Sequence, residues 1–513
     1  MDYLTRILNA KVYDVAIETS LTKAPMLSAL LGHNVMIKRE DEQPVFSFKL
    51  RGAYNKMAHL SQRQLETGVV AASSGNHAQG VALAAQKLGT RATIVMPKTT
   101  PAIKVDAVRA RGAHVILFGE SYSDSYDHAV TLAAEGAKAF IHPYDDPYVI
   151  AGQGTIGMEI LRQYQGDIDA IFVAVGGGGL IAGIASYVKA VRPKTKIIAV
   201  EPFDSDAMTR SLKAGKRVEL SRVGLFADAI AVKKVGKETF RICRELVDES
   251  VLVTNDEICA AIKDVYTDCR SVLEPGGATA IAGLKKYAAS HRSSGKTYVA
   301  VACGSNMNFD RLRFVAERAM LGEQREVVFA VTLPERPGSF RQFCDLLGPR
   351  SVTEFNYRYS NIAGHIGSAH VFVGIEVSHR GESTQLFKDF RAASLRPVDL
   401  TDNELAKMHV RHLVGGHAPG AAGERIFRFD FPERPGALAQ FLRAMNSAWN
   451  ITLFHYRNQG ADIGRVLAGI QAPHNEQRKL EKFLAHIATV GYSWVEETHN
   501  VAYKLFLGLN QKM

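Results

Sequence analysis

The passage VVFAVTLPERPGSFRQFCDLL, residues 327–347, is written a second time in altered form as RIFRFDFPERPGALAQFLRAM, residues 425–445. Each copy is followed by a further echo, SVTEFNYR at 351–358 and NITLFHYR at 450–457, so that Glu335 answers to Glu433 and Tyr357 to Tyr456 with a single residue of slippage. Segments that repeat in order and in spacing mark an internal duplication, and a duplicated sequence must fold twice into one kind of unit. The alternation in FAVTL and FRFDF predicts a half-buried strand, Pro-Gly predicts a tight turn, and Phe340, Phe343, Leu346 and Leu347 recur at helical spacing. The chain therefore ends in two small α+β units of roughly 80–90 residues each, expected at 326–412 and 424–513. A hinge is expected in RAMLGEQRE, residues 318–326.

Residues 1–322 are written differently. From about 34 to 310, β-branched runs alternate with small-residue helical stretches, the habit of a parallel sheet covered by helices. Strands are expected at 68–73, 91–97, 114–119, 170–177 and 196–202, with helices such as 77–89 and 103–112 between them, each closing near a glycine. This is an α/β core. A chain of 513 residues exceeds what one hydrophobic core usually serves, which agrees with a large α/β domain followed by a duplicated pair.

Composition excludes several classes. With 46% hydrophobic and 22% charged residues the chain is neither disordered nor fibrous. Five cysteines without a CxxC pair argue against a disulfide framework and fit a reducing, cytoplasmic setting. The opening MDYLTRILNAKVYDVA has the pattern of neither a signal nor a transit peptide, and no apolar run is long enough to span a membrane. The net charge of +10 could suggest nucleic acid, but KAGKR at 213–217 and KKVGK at 233–237 lack interleaved aromatics, so no nucleic-acid partner is expected. A mild positive field also suits an anionic cofactor or substrate.

Three stretches carry chemistry. SSGNHAQG, residues 73–80, follows a strand and opens a helix, where unpaired backbone N–H groups and the helix dipole stabilise a carboxylate or phosphate. An N-capped helix after a glycine turn is the plainer reading of the same letters. GGGGL, 176–180, leaves no side chain between an anion and its backbone donors, yet it matches neither a P-loop nor GxGxxG. In VFSFKLRGA, 45–53, Lys49 lies in a hydrophobic approach to a helix, where burial disfavours its charge. Either its stem packs while the amine reaches solvent, or the amine forms an imine with an aldehyde and so sheds the charge.

In the order SFKLRGA, SSGNHAQG, GGGGL and ACGSNMNFD (302–310), these motifs resemble the pyridoxal-phosphate enzymes of fold type II, the tryptophan synthase β-like fold with two α/β subdomains. Within them the resemblance is to threonine dehydratase, and the PERPG duplication is similar to the paired ACT-like regulatory units of its long, biosynthetic form. The resemblance implies that Lys49 is the Schiff-base lysine and that Asn76 bonds the 3-oxygen of pyridoxal 5'-phosphate. It also implies that Ser73, Ser74, Gly75, Asn76 and His77 hold the substrate carboxylate, and that Gly176, Gly177, Gly178, Gly179 and Leu180 cradle the phosphate. Cys303 falls where relatives place a serine or cysteine against the pyridine nitrogen. The usual order there is serine, glycine, alanine, asparagine, and this chain has Cys303, Gly304, Ser305 and Asn306, so Ser305 is the alternative partner.

The activity so implied is β-elimination from L-threonine, and from L-serine as well, giving 2-oxobutanoate and ammonia in the case of threonine. Lys49 would be the base at Cα, with Ser74 a second candidate on the opposite face and no proton transfer assigned to His77. The tail is expected to bind isoleucine as feedback inhibitor, with valine opposing it, in a homotetramer; no metal ligand set can be named. Phe355 with Tyr357, and Phe454 with Tyr456, alternate on strands and either line an effector pocket or pack the sheet. A serine dehydratase or racemase, or an amino-acid sensor without catalysis, are the competing readings.

Overall fold

The structure is a computed structural model. It describes residues 2–507 apart from 292, 335–338, 349, 351, 358–367, 380, 413–422, 433–439, 442–443, 446–448 and 458–462, so both Pro-Gly turns lie outside the described residues. The chain divides into two units, Met1–Ala319 and Met320–Met513, the boundary falling within the helix Arg311–Gly322.

Among the described residues the first unit contains ten strands: β1 (Leu21–Lys23), β2 (Asn34–Arg39), β3 (Val69–Ala72), β4 (Ala92–Met96), β5 (His114–Leu117), β6 (Ala139–Phe140), β7 (Ala170–Ala174), β8 (Lys196–Pro202), β9 (Glu249–Val253) and β10 (Thr297–Ala302). They form two sheets, β1-β2-β10-β7-β8-β9 and β5-β4-β3-β6, parallel throughout except where β1 meets β2. The five expected strands are β3, β4, β5, β7 and β8; the run at 170–177 leaves strand geometry after Ala174. Strands β1, β2, β9 and β10 complete the larger sheet, and β6 the smaller one. Both VVAA of β3 and AIFVA of β7 are buried throughout, as strands covered on both faces by helices must be. The chain leaves the larger sheet after β2, builds the smaller one, and returns along the helix Pro147–Gln163 to β7.

That excursion begins at Lys49, the first residue of the helix Lys49–Met57. Two residues on, Arg51 is wholly buried and bonded on both sides. Its Nε and one terminal nitrogen donate to Glu40 at 2.8 Å each, and its terminal nitrogens reach Glu159 at 2.6 and 2.9 Å. Thr155 Oγ1 and the Ile17 carbonyl accept further hydrogens. Lys38 on β2 joins Glu159 at 2.7 Å, so two buried cations face two buried carboxylates. Glu40 follows β2 and Glu159 lies on the returning helix, so the network pins the lysine helix to both ends of the excursion.

In the second unit the duplication is visible as topology. The strand order Val352–Tyr357, Ser368–Glu376, Glu326–Pro334, Arg396–Asp399 is matched by Asn450–Arg457, Ile463–Gln471, Glu424–Pro432, Ser493–Glu496, all antiparallel. Even the register shift is copied, between Val352 and Glu354 in one and between Ile451 and Leu453 in the other. The expectation of a half-buried strand in the first copy is corrected. Glu326–Val331 is buried on both faces, because Phe329 and Val331 pack on Phe343 and Phe390 while Val328 and Ala330 pack with Ile426, Leu467 and Tyr503 of the other copy. Of the aromatic pairs, Phe454 is at the surface; the side chains of Phe355, Tyr357 and Tyr456 lie outside the described residues.

Replacing Arg51 by leucine leaves Glu40 and Glu159 buried with Lys38 as their remaining cation. The expected cost is about 3–5 kcal/mol, read as a lower denaturant midpoint for the first unit. Arg51→Lys should recover only part of it, since an ammonium cannot span two carboxylates.

Candidate active site

The carboxyl ends of β3, β7 and β10 deliver the chemistry-bearing residues, the position at which open parallel sheets place their ligands. After β3, the Ser73 hydroxyl accepts from the Gly75 N–H at 3.2 Å, and the helix Asn76–Leu88 starts without a side-chain cap. Asn76 and His77 are buried, whereas Ser73, Ser74 and Gly75 are half-buried along the rim. His77 Nε2 lies 2.8 Å from the Ile141 carbonyl, which can only accept, so the ring donates there. Burial, followed by the charge of Lys49, depresses its pKa to about 3 and keeps it neutral.

After β7, Gly176–Gly179 bends into the helix Gly179–Val191, again without a side-chain cap. Gly178 caps this helix at φ +95°, a conformation open chiefly to glycine. A Cβ on Gly177 would fall 2.2 Å from the Tyr144 ring, so the bend and the ring fit only because the side chain is missing. Thr239 Oγ1 donates to the Gly177 carbonyl at 2.7 Å, which steadies the bend.

Lys49 Nζ donates to the Pro143 carbonyl at 3.0 Å, one residue from the tyrosine that covers the glycine bend. The lysine and the bend are thus brought together by the segment His142–Asp146. Burial lowers the Lys49 pKa to about 8, with Cys303 and Glu274 pulling the other way. Asp145 and Asp146 cap the helices Lys237–Leu246 and Pro147–Gln163, which anchors the C-terminal end of the segment.

After β10, Phe48 N–H donates to the Cys303 carbonyl at 3.3 Å, and Ser47 pairs with Gly304, which ties the lysine's approach to this wall. The Cys303 thiol is buried, 3.4 Å from the Gly276 carbonyl, and burial raises its pKa so that it stays protonated. Ser305 is held through its N–H by the Phe46 carbonyl at 2.9 Å.

Two features had not been singled out from the sequence. The first is His142–Asp146, whose signal, two consecutive acids before a proline-started helix, reads only as a cap. The second is Glu274, in LEPGGATA, which also reads as a helix start. Its carboxylate accepts from Asn76 Nδ2 at 2.5 Å, and burial and then Asp228 raise its pKa to about 7. Burial opposes the charge of Asp228 as well, but Lys104 and Arg311 hold that carboxyl well below the usual range.

These residues fit an aldehyde with an anionic tail. The site pairs an easily neutralised amine with a bend that has no side chains, and Ser47 Oγ is buried there without a hydrogen-bond partner among the described residues. Among those residues no helix is long and apolar enough to cross a membrane.

The chain resembles known proteins over nearly its whole length. Residues 12–304 match the pyridoxal-phosphate dependent enzyme family, and 317–410 and 416–507 each match the C-terminal regulatory domain of threonine dehydratase. The biosynthetic L-threonine dehydratase of Burkholderia multivorans is 59% identical over 509 residues, covering 99% of each chain. The chloroplastic biosynthetic threonine dehydratase 1 of Solanum lycopersicum is 52% identical over 99% of this chain and 82% of its own. Among solved structures, the processed form of threonine deaminase isoform 2 from Solanum lycopersicum superposes with a TM-score of 0.61 at 55% identity, covering 62% of this chain and 92% of that one.

In the form with its amine free, Lys49 should react with aldehydes with a half-point near pH 8 rather than the ordinary 10.5, because the neutral amine is the nucleophile and burial favours it. Borohydride trapping across a pH series, followed by peptide mapping, measures this.

Proposed function

This chain belongs to the threonine dehydratases, pyridoxal-phosphate enzymes with a C-terminal regulatory domain, and from that membership we infer what each residue of the site does. The reaction is that of a threonine ammonia-lyase, L-threonine giving 2-oxobutanoate and ammonia. When bound, pyridoxal phosphate supplies the electron sink that makes the Cα proton of the amino acid removable.

Lys49 would hold the cofactor aldehyde and would be the base that takes the proton from Cα of the substrate. A depressed pKa suits both tasks, since each needs the uncharged amine. The N–H groups of Gly176 to Leu180 would hold the phosphate, at a helix start that has no side-chain cap. The N–H groups of Ser73 to His77 receive the substrate carboxylate at the second uncapped start, and Ser74, on the rim, is the hydroxyl for the opposite face of Cα. Asn76 would bond the cofactor's 3-oxygen. Cys303, a neutral thiol, would face the ring nitrogen, where an uncharged partner favours prompt loss of the β-hydroxyl over transamination. The observation that carries this reading is a single one: an amine biased toward neutrality donates to the carbonyl of Pro143, the residue before the tyrosine that lies on a side-chain-free bend.

The regulatory unit is the place for end-product control. Catalytic residues 1–322 are followed by ACT-like units at 326–412 and 424–513, for which we propose isoleucine as inhibitor and valine as its antagonist, in a cytoplasmic homotetramer at the first step of isoleucine formation. Such control requires an effector that binds two states of the chain unequally.

Release of ammonia and 2-oxobutanoate from L-threonine, compared with product from L-serine, tests the substrate; racemisation of serine without ammonia would favour a racemase instead. Lys49→Ala should lose both the visible absorption of the holoenzyme and the reaction. Isoleucine should raise the threonine concentration needed for half-maximal rate, and valine should reverse that. A chain ending at residue 319 that is folded and still inhibited by isoleucine would overturn the assignment of the tail.

A further inference from the structure

The two ends of an asparagine amide have the same shape, so what Asn76 offers a ligand depends on which end faces it. Here a backbone carbonyl decides the matter. Val45 O can only accept, and it takes a hydrogen from Asn306 Nδ2 at 2.8 Å. The same nitrogen gives its other hydrogen to Asn76 Oδ1 at 2.7 Å. The Asn76 oxygen therefore faces Asn306, and its nitrogen faces Glu274 Oε1 at 2.5 Å. A carboxyl oxygen of this kind accepts in the ionised form, and a neutral carboxyl retains an accepting oxygen. Turning the Asn76 amide over would set its NH2 against that of Asn306, so the chain of donors runs one way only. One hydrogen on Asn76 Nδ2 serves Glu274; the other is left to point elsewhere.

The backbone is shaped for this chain of bonds. Glu274 N–H donates to the Gly304 carbonyl at 3.2 Å. A Cβ on Gly304 would lie 2.5 Å from Glu274 Oε1 and 3.3 Å from Asn76 Nδ2. A glycine at 304 is what lets carboxylate and amide meet beside Cys303.

We propose that Asn306 and Glu274 are positioning residues that hold the Asn76 amide with its nitrogen toward bound pyridoxal phosphate, so that the cofactor's 3-oxygen meets a donor and never an acceptor. The proposal rests on the cofactor reading of Lys49 and Asn76 given above. A donor there stabilises the ionised 3-oxygen, and both cofactor affinity and the visible absorption spectrum report that state.

The test is titration of pyridoxal phosphate onto full-length apoenzyme, followed by visible absorbance. Asn306→Asp removes both N–H donors and calls for the amide to reverse. Its dissociation constant should rise about tenfold, the scale of one lost hydrogen bond to a charged oxygen, with absorbance moving to shorter wavelength as the 3-oxygen becomes protonated. Glu274→Leu, at the other end of the chain of bonds, should do the same and serves where Asn306→Asp fails to fold. Glu274→Gln keeps an accepting oxygen and should stay within about twofold of the parent. Wild-type affinity and spectrum in a folded Asn306→Asp or Glu274→Leu protein, when Asn76→Ala alters both, would overturn the proposal, as would a Glu274→Gln as damaged as Glu274→Leu. An Asn76→Ala that alters neither, or a Lys49→Ala that keeps the band, would instead sink the cofactor reading beneath it.

Discussion

A guanidinium taken wholly out of water is tolerable only when carboxylates surround it, and Arg51 has two of them. Its bonds reach a turn that follows one sheet and a helix that returns from the other, so the position of the helix between them is fixed in three dimensions. Lys49 is the first residue of that helix. Two cations on one helical turn are thus treated in opposite ways. Arg51 is compensated on both sides, and its charge is stabilised despite burial. Lys49 is given a backbone carbonyl and little compensation, so burial prevails and its charge becomes removable. The first arrangement makes the second dependable, because an uncompensated amine would otherwise swing toward water.

The rest of the site follows a similar division between scaffold and ligand-facing groups. Several helix starts are closed by the side chain of their own cap residue, as at Ser61, Ser121, Asp146 and Thr254. The starts at Asn76 and Gly179 are not, so their backbone donors stay available for anions. Asp145 shows how far this economy of charge extends. It closes a neighbouring helix with its carboxylate, and in doing so anchors the segment whose Pro143 and Tyr144 touch the lysine and the glycine bend.

In the regulatory unit, duplication has a packing consequence. Each sheet buries one face on its own helices, and in the first copy the strand Glu326–Pro334 buries its other face as well, through Val328 and Ala330, in an apolar cluster shared with Ile426, Leu467 and Tyr503. The shared cluster joins the two copies into one compact body. An effector that altered one copy would therefore be felt in the packing of the other.

Much of this was legible in the letters alone. The strands β3, β4, β5, β7 and β8 announce themselves by apolar runs, the duplication by its repeated PERPG, and the glycine bend and the lysine by being out of place in their surroundings. Those are local signals, carried by spacing and by the conformational limits of single residue types. What sequence could not supply were facts about partners far apart in the chain. That the strand FAVTL is buried on both faces depends on a second copy about a hundred residues away. Glu274 and Asn306 become part of the site because tertiary contacts set them against Asn76, and Tyr144 because Gly177 leaves room for its ring. Sequence determined which residues can do the chemistry and which segments can be strand or helix. Only the folded chain decided which charges are compensated and which amide hydrogens remain to be used, because burial and hydrogen-bond direction belong to neighbours in space.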